Sequence, residues 1–115
     1  MTNPAKAKGS AFERAVAAYM RDHGLPYMDR RFGAGQQKDK GDLVGDPEFV
    51  YECKAHKAFA IAQWLKEAEV ERGHANALYG VVVAKRPRAP IGQSVVMMTL
   101  ETYMEMRKNA NQRPA

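Results

Sequence analysis

Residues 41–54, GDLVGDPEFVYECK, have the sequence pattern of a β-hairpin. The turn signal is Gly45-Asp46-Pro47-Glu48, because aspartate favours the opening position of a turn and proline fixes φ at the next position. The segment after the turn alternates between two faces, with Phe49, Tyr51 and Cys53 on one side and Val50, Glu52 and Lys54 on the other. Glu52 and Lys54 are therefore predicted to project together from one strand.

The length of the hairpin loop determines where Asp42 lies. A two-residue loop pairs Asp42 with Tyr51 and turns its carboxylate away from Glu52, because directly opposed residues share a face. A three-residue loop over residues 46–48, or an equivalent bulge, pairs Asp42 with Glu52. We favour this second register, which brings both carboxylates and Lys54 onto one surface. Two oxygen ligands there suit a hard divalent cation, and the ammonium can reach a water on that cation.

These residues resemble the motif of the PD-(D/E)XK nuclease superfamily, which is an acidic residue, a spacer, then Asp or Glu, any residue and Lys. Here Asp42 is followed by nine residues and then by Glu52-Cys53-Lys54, with Gly41 in place of the motif's proline. The upstream segment Lys8-Gly9-Ser10-Ala11-Phe12-Glu13-Arg14 resembles the opening of archaeal-type Holliday-junction resolvases and related phage nucleases. Together the two segments extend the resemblance over most of the chain.

The resemblance implies metal-dependent hydrolysis of a DNA phosphodiester, with products that carry a 5′-phosphate and a 3′-hydroxyl. Asp42, Glu52 and the backbone carbonyl of Cys53 would hold Mg²⁺, or alternatively Mn²⁺. Lys54 would orient or help to deprotonate the attacking water and stabilise the charge that grows on the phosphate. Glu13 would complete or hydrogen-bond the metal shell.

Glu13 also has a second interpretation. Residues 10–13, SAFE, form a capping box that predicts a helix from about residue 11 to 23, in which the Glu13 carboxylate bonds back to the Ser10 amide. The downstream motif favours the metal role over the cap. Gln63 lies near the start of a helix predicted over residues 60–75, where related nucleases often place a polar residue that steers water or phosphate. The resemblance therefore makes Gln63 a candidate catalytic residue. The alternative interpretation is that Gln63 is an ordinary exposed residue of this helix.

A formal net charge of +5 favours a polyanionic partner, with nucleic acid as the leading choice. The candidate DNA-binding residues are Arg30, Arg31, Gln36, Lys38, Lys40, Lys57, Lys85 and Arg86. Each of them alone is compatible with an ordinary solvated loop. The group that adjoins the acidic site is Arg30, Arg31, Gln36, Lys38 and Lys40. Asp39 ranks below Asp42 because it lies outside the hairpin. Lys8 is expected to be solvated, and His56 either contacts phosphate or is a surface residue.

The predicted order is helix, three strands, helix, two strands, helix. It indicates a single-domain α/β/α sandwich around a mixed sheet, the restriction-endonuclease-like core that the resemblance implies. The apolar run at residues 79–84 is typical of a central strand buried on both faces. The predicted nuclease domain spans residues 10–108, between a flexible basic lead-in at 1–9 and a disordered tail at 109–115.

Two further features of the chain are predicted on the helices. Three glutamates, Glu67, Glu69 and Glu71, should form a solvent-facing acidic set, with Arg72 available to Glu69. In the last helix, over residues 100–108, the side chains of Tyr103 and Met104 should turn inward.

The resemblance to Holliday-junction resolvases implies a four-way DNA junction as the substrate. It also implies a homodimer, because such a junction has two-fold symmetry and needs two symmetrical cuts. A flap, nicking or restriction-type endonuclease is the alternative within the enzymes, and a non-catalytic nucleic-acid-binding module is the alternative outside them. No apolar run has the length of a membrane span, and the first residues lack the apolar centre of a secretory signal. The expected location is therefore the cytoplasm, or the host cytoplasm if the gene belongs to a phage.

Overall fold

The computed structural model describes residues 3–32 and 41–112. Its elements in chain order are α1 (Pro4–Asp22), β1 (Asp29–Arg30), β2 (Leu43–Val44), β3 (Phe49–Lys54), α2 (Ile61–Ala75), β4 (Tyr79–Ala84), a 3₁₀ turn (Ile91–Gln93), β5 (Val95–Met97) and α3 (Leu100–Asn111). Helices and strands follow one another in the order that the sequence predicts. Among the described residues, no helix is long and apolar enough to cross a membrane.

Strand β4 is the centre of a mixed three-stranded sheet with the order β3-β4-β5. It runs parallel to β3, from Phe49 opposite Tyr79 to Lys54 opposite Ala84, and antiparallel to β5. Parallel neighbours need a long crossover, which α2 supplies. Every residue of β4 is buried, which confirms the prediction for this apolar run.

The two faces of β3 and β4 pack against different helices. One core cluster joins α1 to the sheet through Phe12, Val16, Ala17, Met28, Leu43, Tyr51, Val81 and Val83. The other joins α2 to the sheet through Trp64, Ala68, Val82 and Ala84. The alternation predicted for β3 is therefore present, since Tyr51 belongs to the α1 side while Glu52 interacts with Glu71 of α2. The result is a compact mixed α/β fold.

The predicted hairpin register differs from the structure. Strand β2 pairs with β1, with Asp29 opposite Val44, instead of forming a ladder with β3. The backbone N–H of Asp42 donates to the carbonyl of Tyr51 at 2.9 Å, so Tyr51 and not Glu52 is its backbone partner. The expected pairing of Asp42 with Glu52 is thus wrong.

The turn itself explains this difference. Asp46 Oδ1 accepts the backbone N–H groups of Glu48 and Phe49, at 2.9 and 3.3 Å, and its Oδ2 accepts the Tyr51 hydroxyl at 2.6 Å. Gly45 has a φ of +113°, and a Cβ on it would lie 2.2 Å from the carbonyl oxygen of Tyr27. The chain before the turn is therefore held against the segment that leads into β1, and this favours the pairing of β2 with β1.

Helix α1 begins seven residues before the predicted start at residue 11. Asn3 is its cap, with Oδ1 accepting the N–H groups of Ala5 at 3.0 Å and Lys6 at 3.5 Å. Residues 4–9, expected to be a flexible lead-in, are therefore helical. Ser10 lies inside the helix, so the predicted capping box is wrong and Glu13 is available for another role.

The last helix, α3, also differs from the prediction. It runs to Asn111, three residues beyond its predicted end and into the segment expected to be a disordered tail. Tyr103 and Met104 were expected to turn inward, but 46% and 55% of their surfaces are exposed. Helix α3 has no buried residue, which leaves one of its faces without apolar cover in the monomer.

Candidate functional site

The Asp42 carboxylate is fixed against the edge of β3. Its Oδ2 accepts the backbone N–H of Cys53 at 2.7 Å, while the Asp42 carbonyl accepts the N–H of Arg31 at 2.8 Å. The preceding Gly41 is buried with a φ of +97°, and a Cβ there would lie 3.2 Å from the Tyr51 carbonyl oxygen. Only glycine allows this close approach, so Gly41 and β3 together place the aspartate.

Glu52 projects from β3 to the α2 side, where it is only 6% exposed. Its carboxyl group interacts with Asp42 and with Glu71 of α2. The pKa of Glu52 is raised to about 8, chiefly by burial and then by the Glu71 carboxyl, although Asp42 and Lys54 act to lower it. Three carboxyl groups from three parts of the chain therefore meet on one side of the sheet.

Glu71 is the member of this cluster that the sequence prediction missed. The predicted solvent-facing set is correct for Glu69, which pairs with Arg72 at 2.7 Å, but wrong for Glu71, which is 3% exposed. The buried positions of α2 are Trp64, Ala68 and Glu71, spaced i, i+4 and i+7. That spacing is the signal that marks Glu71 as inward-facing.

Lys54 lies on the same face of β3 and contacts α2. Its Nζ is 2.7 Å from Glu67 Oε2, and Gln63 Nε2 donates to Glu67 Oε1 at 3.0 Å. Burial lowers the pKa of Lys54, but the hydrogen bond to Glu67 and the charges of Glu52, Glu67 and Asp42 outweigh it and raise the pKa above its ordinary value. The lysine is held as an ammonium, which suits hydrogen-bond donation better than proton abstraction.

Glu13 lies at the α1 side of the cluster. Its Oε1 accepts Arg30 Nε at 3.0 Å, and Arg30 Nη2 donates to Ser10 Oγ at 3.2 Å. Burial and the charge of Asp42 raise the pKa of Glu13, while Arg30 lowers it. Glu13 is thus close enough to Asp42 for their charges to interact, and it is held by Arg30, which was expected to contact DNA.

The thiol of Cys53 does not have the environment of a nucleophile. Its side chain packs against the α1-side core. Burial, and then the negative charges of Asp42, Glu13, Glu52 and Glu71, raise the pKa of the thiol well above its ordinary value. Cys53 therefore contributes through its backbone, whose N–H orients Asp42.

The predicted DNA-binding residues fall into separate groups. Lys57 and Lys85 line one small pocket beyond the ends of β3 and β4, and Arg86 is exposed beside it. Arg30 is turned toward Glu13, and Arg31 holds Asp42 through its backbone. The other three candidates, Gln36, Lys38 and Lys40, lie outside the described residues, as does Asp39.

The donor set fits a hard divalent cation in its chemistry. Within residues 3–32 and 41–112, no group of three or more His, Cys, Asp or Glu side chains is arranged to hold a metal ion as it stands. Carboxylate and carbonyl oxygens are nevertheless the ligands that Mg²⁺ and Mn²⁺ prefer. Burial, and then the Glu71 carboxyl, raise the pKa of Glu52, so a negative charge on Glu52 is costly and a bound cation would reduce that cost.

Comparisons of this chain with protein-family models, with curated proteins and with solved structures find no match. Its function is therefore inferred from its own residues and their geometry.

Proposed function

We propose that this protein is a metal-dependent DNA endonuclease, acting on branched DNA as a Holliday-junction resolvase. One observation carries the proposal: the carboxyl groups of Asp42, Glu52 and Glu71 converge beside the ammonium of Lys54. Clustered carboxylates repel a phosphate unless a cation neutralises them, whereas the combination of cation, carboxylates and lysine is suited to phosphodiester hydrolysis.

Asp42, Glu52 and the Cys53 carbonyl would hold Mg²⁺ or Mn²⁺, with Glu13 in hydrogen-bonding support. When bound, such an ion activates water and neutralises charge on the phosphate. The Lys54 ammonium donates hydrogen bonds to a phosphoryl oxygen and stabilises its growing negative charge. Glu67 sets the position of that ammonium through its 2.7 Å contact. The expected products carry a 5′-phosphate and a 3′-hydroxyl.

The fold proposed with this activity is an α/β/α sandwich with a restriction-endonuclease-like core. Supporting features are the order of the elements and the parallel pairing of β3 with β4 through α2. Packing of α1 and α2 against different core clusters of the sheet also supports it.

The proposed active form is a homodimer. Val96 on β5 and Leu100, Tyr103 and Met104 on α3 are large apolar residues between 46% and 76% exposed. Tyr103 and Met104 lie one turn after Leu100, so the three share a face of the helix. A strict monomer at working concentration, measured by analytical ultracentrifugation, that still cuts both strands of a junction would exclude the dimer.

A second candidate function is a non-catalytic nucleic-acid-binding module. The observation in its favour is that two candidate catalytic groups are in ion pairs, Lys54 with Glu67 and Glu13 with Arg30. In a binding module, these ion pairs would stabilise the fold and take no part in catalysis. A flap, nicking or restriction-type endonuclease remains the alternative within the enzymes.

Cleavage of labelled four-way junction, flap and plain duplex DNA, with Mg²⁺ or with EDTA, tests these candidates. We expect paired, symmetric junction cuts that require Mg²⁺, and a loss of about 100-fold or more in rate for Lys54→Ala and for Asp42→Asn. The matched controls are Lys66→Ala and Asp22→Asn, which make the same changes at exposed positions. Binding without any cutting by the native protein would favour the binding module, and preferential cutting of flap or duplex would refute the resolvase.

A further inference from the structure

A small pocket with a basic lining lies beyond the ends of β3 and β4. Its volume is about 120 Å³, and its charged or titratable lining residues are Lys8, His56, Lys57, Lys85 and Arg88. They come from α1, from the segment after β3 and from the loop after β4. Among the residues that the structure describes, no carboxylate lines the pocket. Three parts of the chain that are distant in sequence therefore place positive charge around one small volume.

The wall of the pocket is tied to the sheet. The backbone N–H of Lys85 donates to the Lys54 carbonyl at 2.8 Å, and the loop then closes through a 3.3 Å bond from the Ala89 N–H to the Arg86 carbonyl. Arg88 has a φ of +61°, a left-handed conformation that is uncommon for a residue other than glycine. The loop therefore holds Arg88 at the pocket in a conformation that its own backbone disfavours.

The charge and the size of the pocket point to a small anion. In the part of the chain that the structure describes, no salt bridge joins Lys8, Lys57, Lys85 or Arg88 to a carboxylate. Cations that converge without an acidic partner repel one another, and an anion between them relieves that repulsion. The pocket is smaller than the roughly 300–1,000 Å³ clefts that enclose drug-sized ligands, which suits one phosphate group and not a whole nucleotide.

The pocket also adjoins the proposed active site. His56 follows Lys54 by two residues, and Lys85 is hydrogen-bonded to Lys54 itself. On α1, Lys8 precedes Glu13 by five residues, a rise of about 7.5 Å along the helix. An anion in the pocket would therefore lie beside the carboxylate cluster, on the side of the sheet ends where β3 and β4 stop.

We propose that this pocket binds one backbone phosphate of the nucleic acid next to the phosphate that is cleaved. The inference rests on the proposed DNA substrate and adds the residues that set its register: Lys8, Lys57, Lys85 and Arg88, with His56 at the rim. Anchoring a neighbouring phosphate fixes the position of the scissile bond relative to Lys54 without reading the base sequence.

The test compares two double variants that each remove one lysine and one arginine. Lys8→Ala/Arg88→Ala alters the pocket, and Arg21→Ala/Lys66→Ala makes the same charge change at exposed positions on α1 and α2. The dissociation constant for a labelled DNA is measured in EDTA by fluorescence anisotropy as a function of salt concentration. We expect the pocket variant to bind about tenfold or more weakly, and the slope of log K against log salt to fall by about 1 to 2. The Arg21→Ala/Lys66→Ala variant should keep the native slope.

Equal losses in the two variants, or no loss in the pocket variant, would overturn the proposal. Thermal unfolding of both variants shows whether either has failed to fold, and amide chemical shifts of Lys57, Lys85 and Arg88 on addition of DNA give a readout in the native protein. Adding inorganic phosphate at constant ionic strength tests whether the pocket binds free phosphate or a phosphate of the DNA backbone. Shifts with phosphate but an unchanged DNA slope would make this a small-anion site and refute the backbone anchor.

Measuring DNA cleavage with Mg²⁺ tests the proposed nuclease activity separately from the proposed phosphate anchor. If the pocket variant binds DNA more weakly as expected but the native protein cuts no DNA, the proposed phosphate anchor stands and the proposed nuclease activity is refuted. If the native protein cuts DNA but the pocket variant has an unchanged salt slope, the proposed nuclease activity stands and the proposed phosphate anchor is refuted.

Discussion

Replacing Glu52 by glutamine should change how the stability of the metal-free protein depends on pH. Glu52 is 6% exposed and interacts with Asp42 and Glu71. Burial, reinforced by Glu71, raises its pKa from an ordinary 4.5 to about 8. The folded protein therefore holds the Glu52 proton more tightly than the unfolded chain does. Glutamine has nearly the same shape but no proton to lose, so Glu52→Gln removes this difference between the two states.

The sign and the size of the effect follow from linkage. Because the pKa is raised on folding, the stabilising contribution of the proton is complete below pH 4.5 and is lost as the pH rises to about 8. One pKa unit corresponds to about 1.4 kcal/mol, so the whole change amounts to as much as about 5 kcal/mol. Between about pH 6 and about pH 8 the native protein should lose about 2 kcal/mol of unfolding free energy through Glu52.

Urea unfolding with EDTA at both pH values measures this loss. We expect the difference in stability between Glu52→Gln and native protein to shift by about 2 kcal/mol in favour of the variant on going from about pH 6 to about pH 8. Using the difference at two pH values cancels any pH-independent cost of the substitution. Glu105→Gln, at an exposed position on α3, is the matched control and should show no such shift. Parallel pH profiles for native protein and Glu52→Gln would refute the placement of a buried, proton-holding carboxyl at this site.

Two other positions carry sharp expectations. Gly45→Ala should destabilise the fold by about 3 kcal/mol or more in urea unfolding, because its φ is +113° and the new Cβ would lie 2.2 Å from a backbone oxygen. Gly24→Ala has a φ of +115° with no atom within 4 Å, so it should cost only about 1–2 kcal/mol, and equal losses would argue against the steric contact. Glu71→Gln should lower the Mg²⁺-dependent cleavage rate by about 10- to 100-fold by altering the support of Glu52, whereas Glu69→Gln should not. A fully active Glu71→Gln protein would exclude Glu71 from the site.

The sequence predicted the parts of the fold that depend on local pattern. The apolar run of β4, the alternation of β3 and the order of the elements all follow from side-chain periodicity, which the sheet and its helices impose directly. The start of α1 was missed for a local reason as well. Both Asn3 and Ser10 are good caps, and Asn3 is preferred because Pro4 and the residues after it can continue the helix back to it.

The parts that could not be predicted depend on contacts between distant segments. The expected hairpin is a local pairing, but Gly45 packs against the Tyr27 carbonyl and β2 pairs with β1. The basic pocket likewise requires α1 and two loops to meet at the ends of β3 and β4. Neither contact leaves a periodic trace in the sequence, because each joins residues that are far apart in the chain.

The acidic cluster shows how carboxyl groups can come together as predicted although the backbone register differs from the prediction. Asp42 has Tyr51 as its backbone partner, which by strand geometry alone should turn its carboxylate away from Glu52. A regular ladder between β2 and β3 would impose that orientation, but β2 pairs with β1, and the carboxylate instead reaches the Cys53 N–H at 2.7 Å. The Asp42 carboxylate therefore lies beside Glu52, as predicted, but its side-chain contact and not backbone pairing with Glu52 places it there. What the sequence encodes most strongly here is the set of acids and the lysine, and Gly41 supplies the close approach that brings them together.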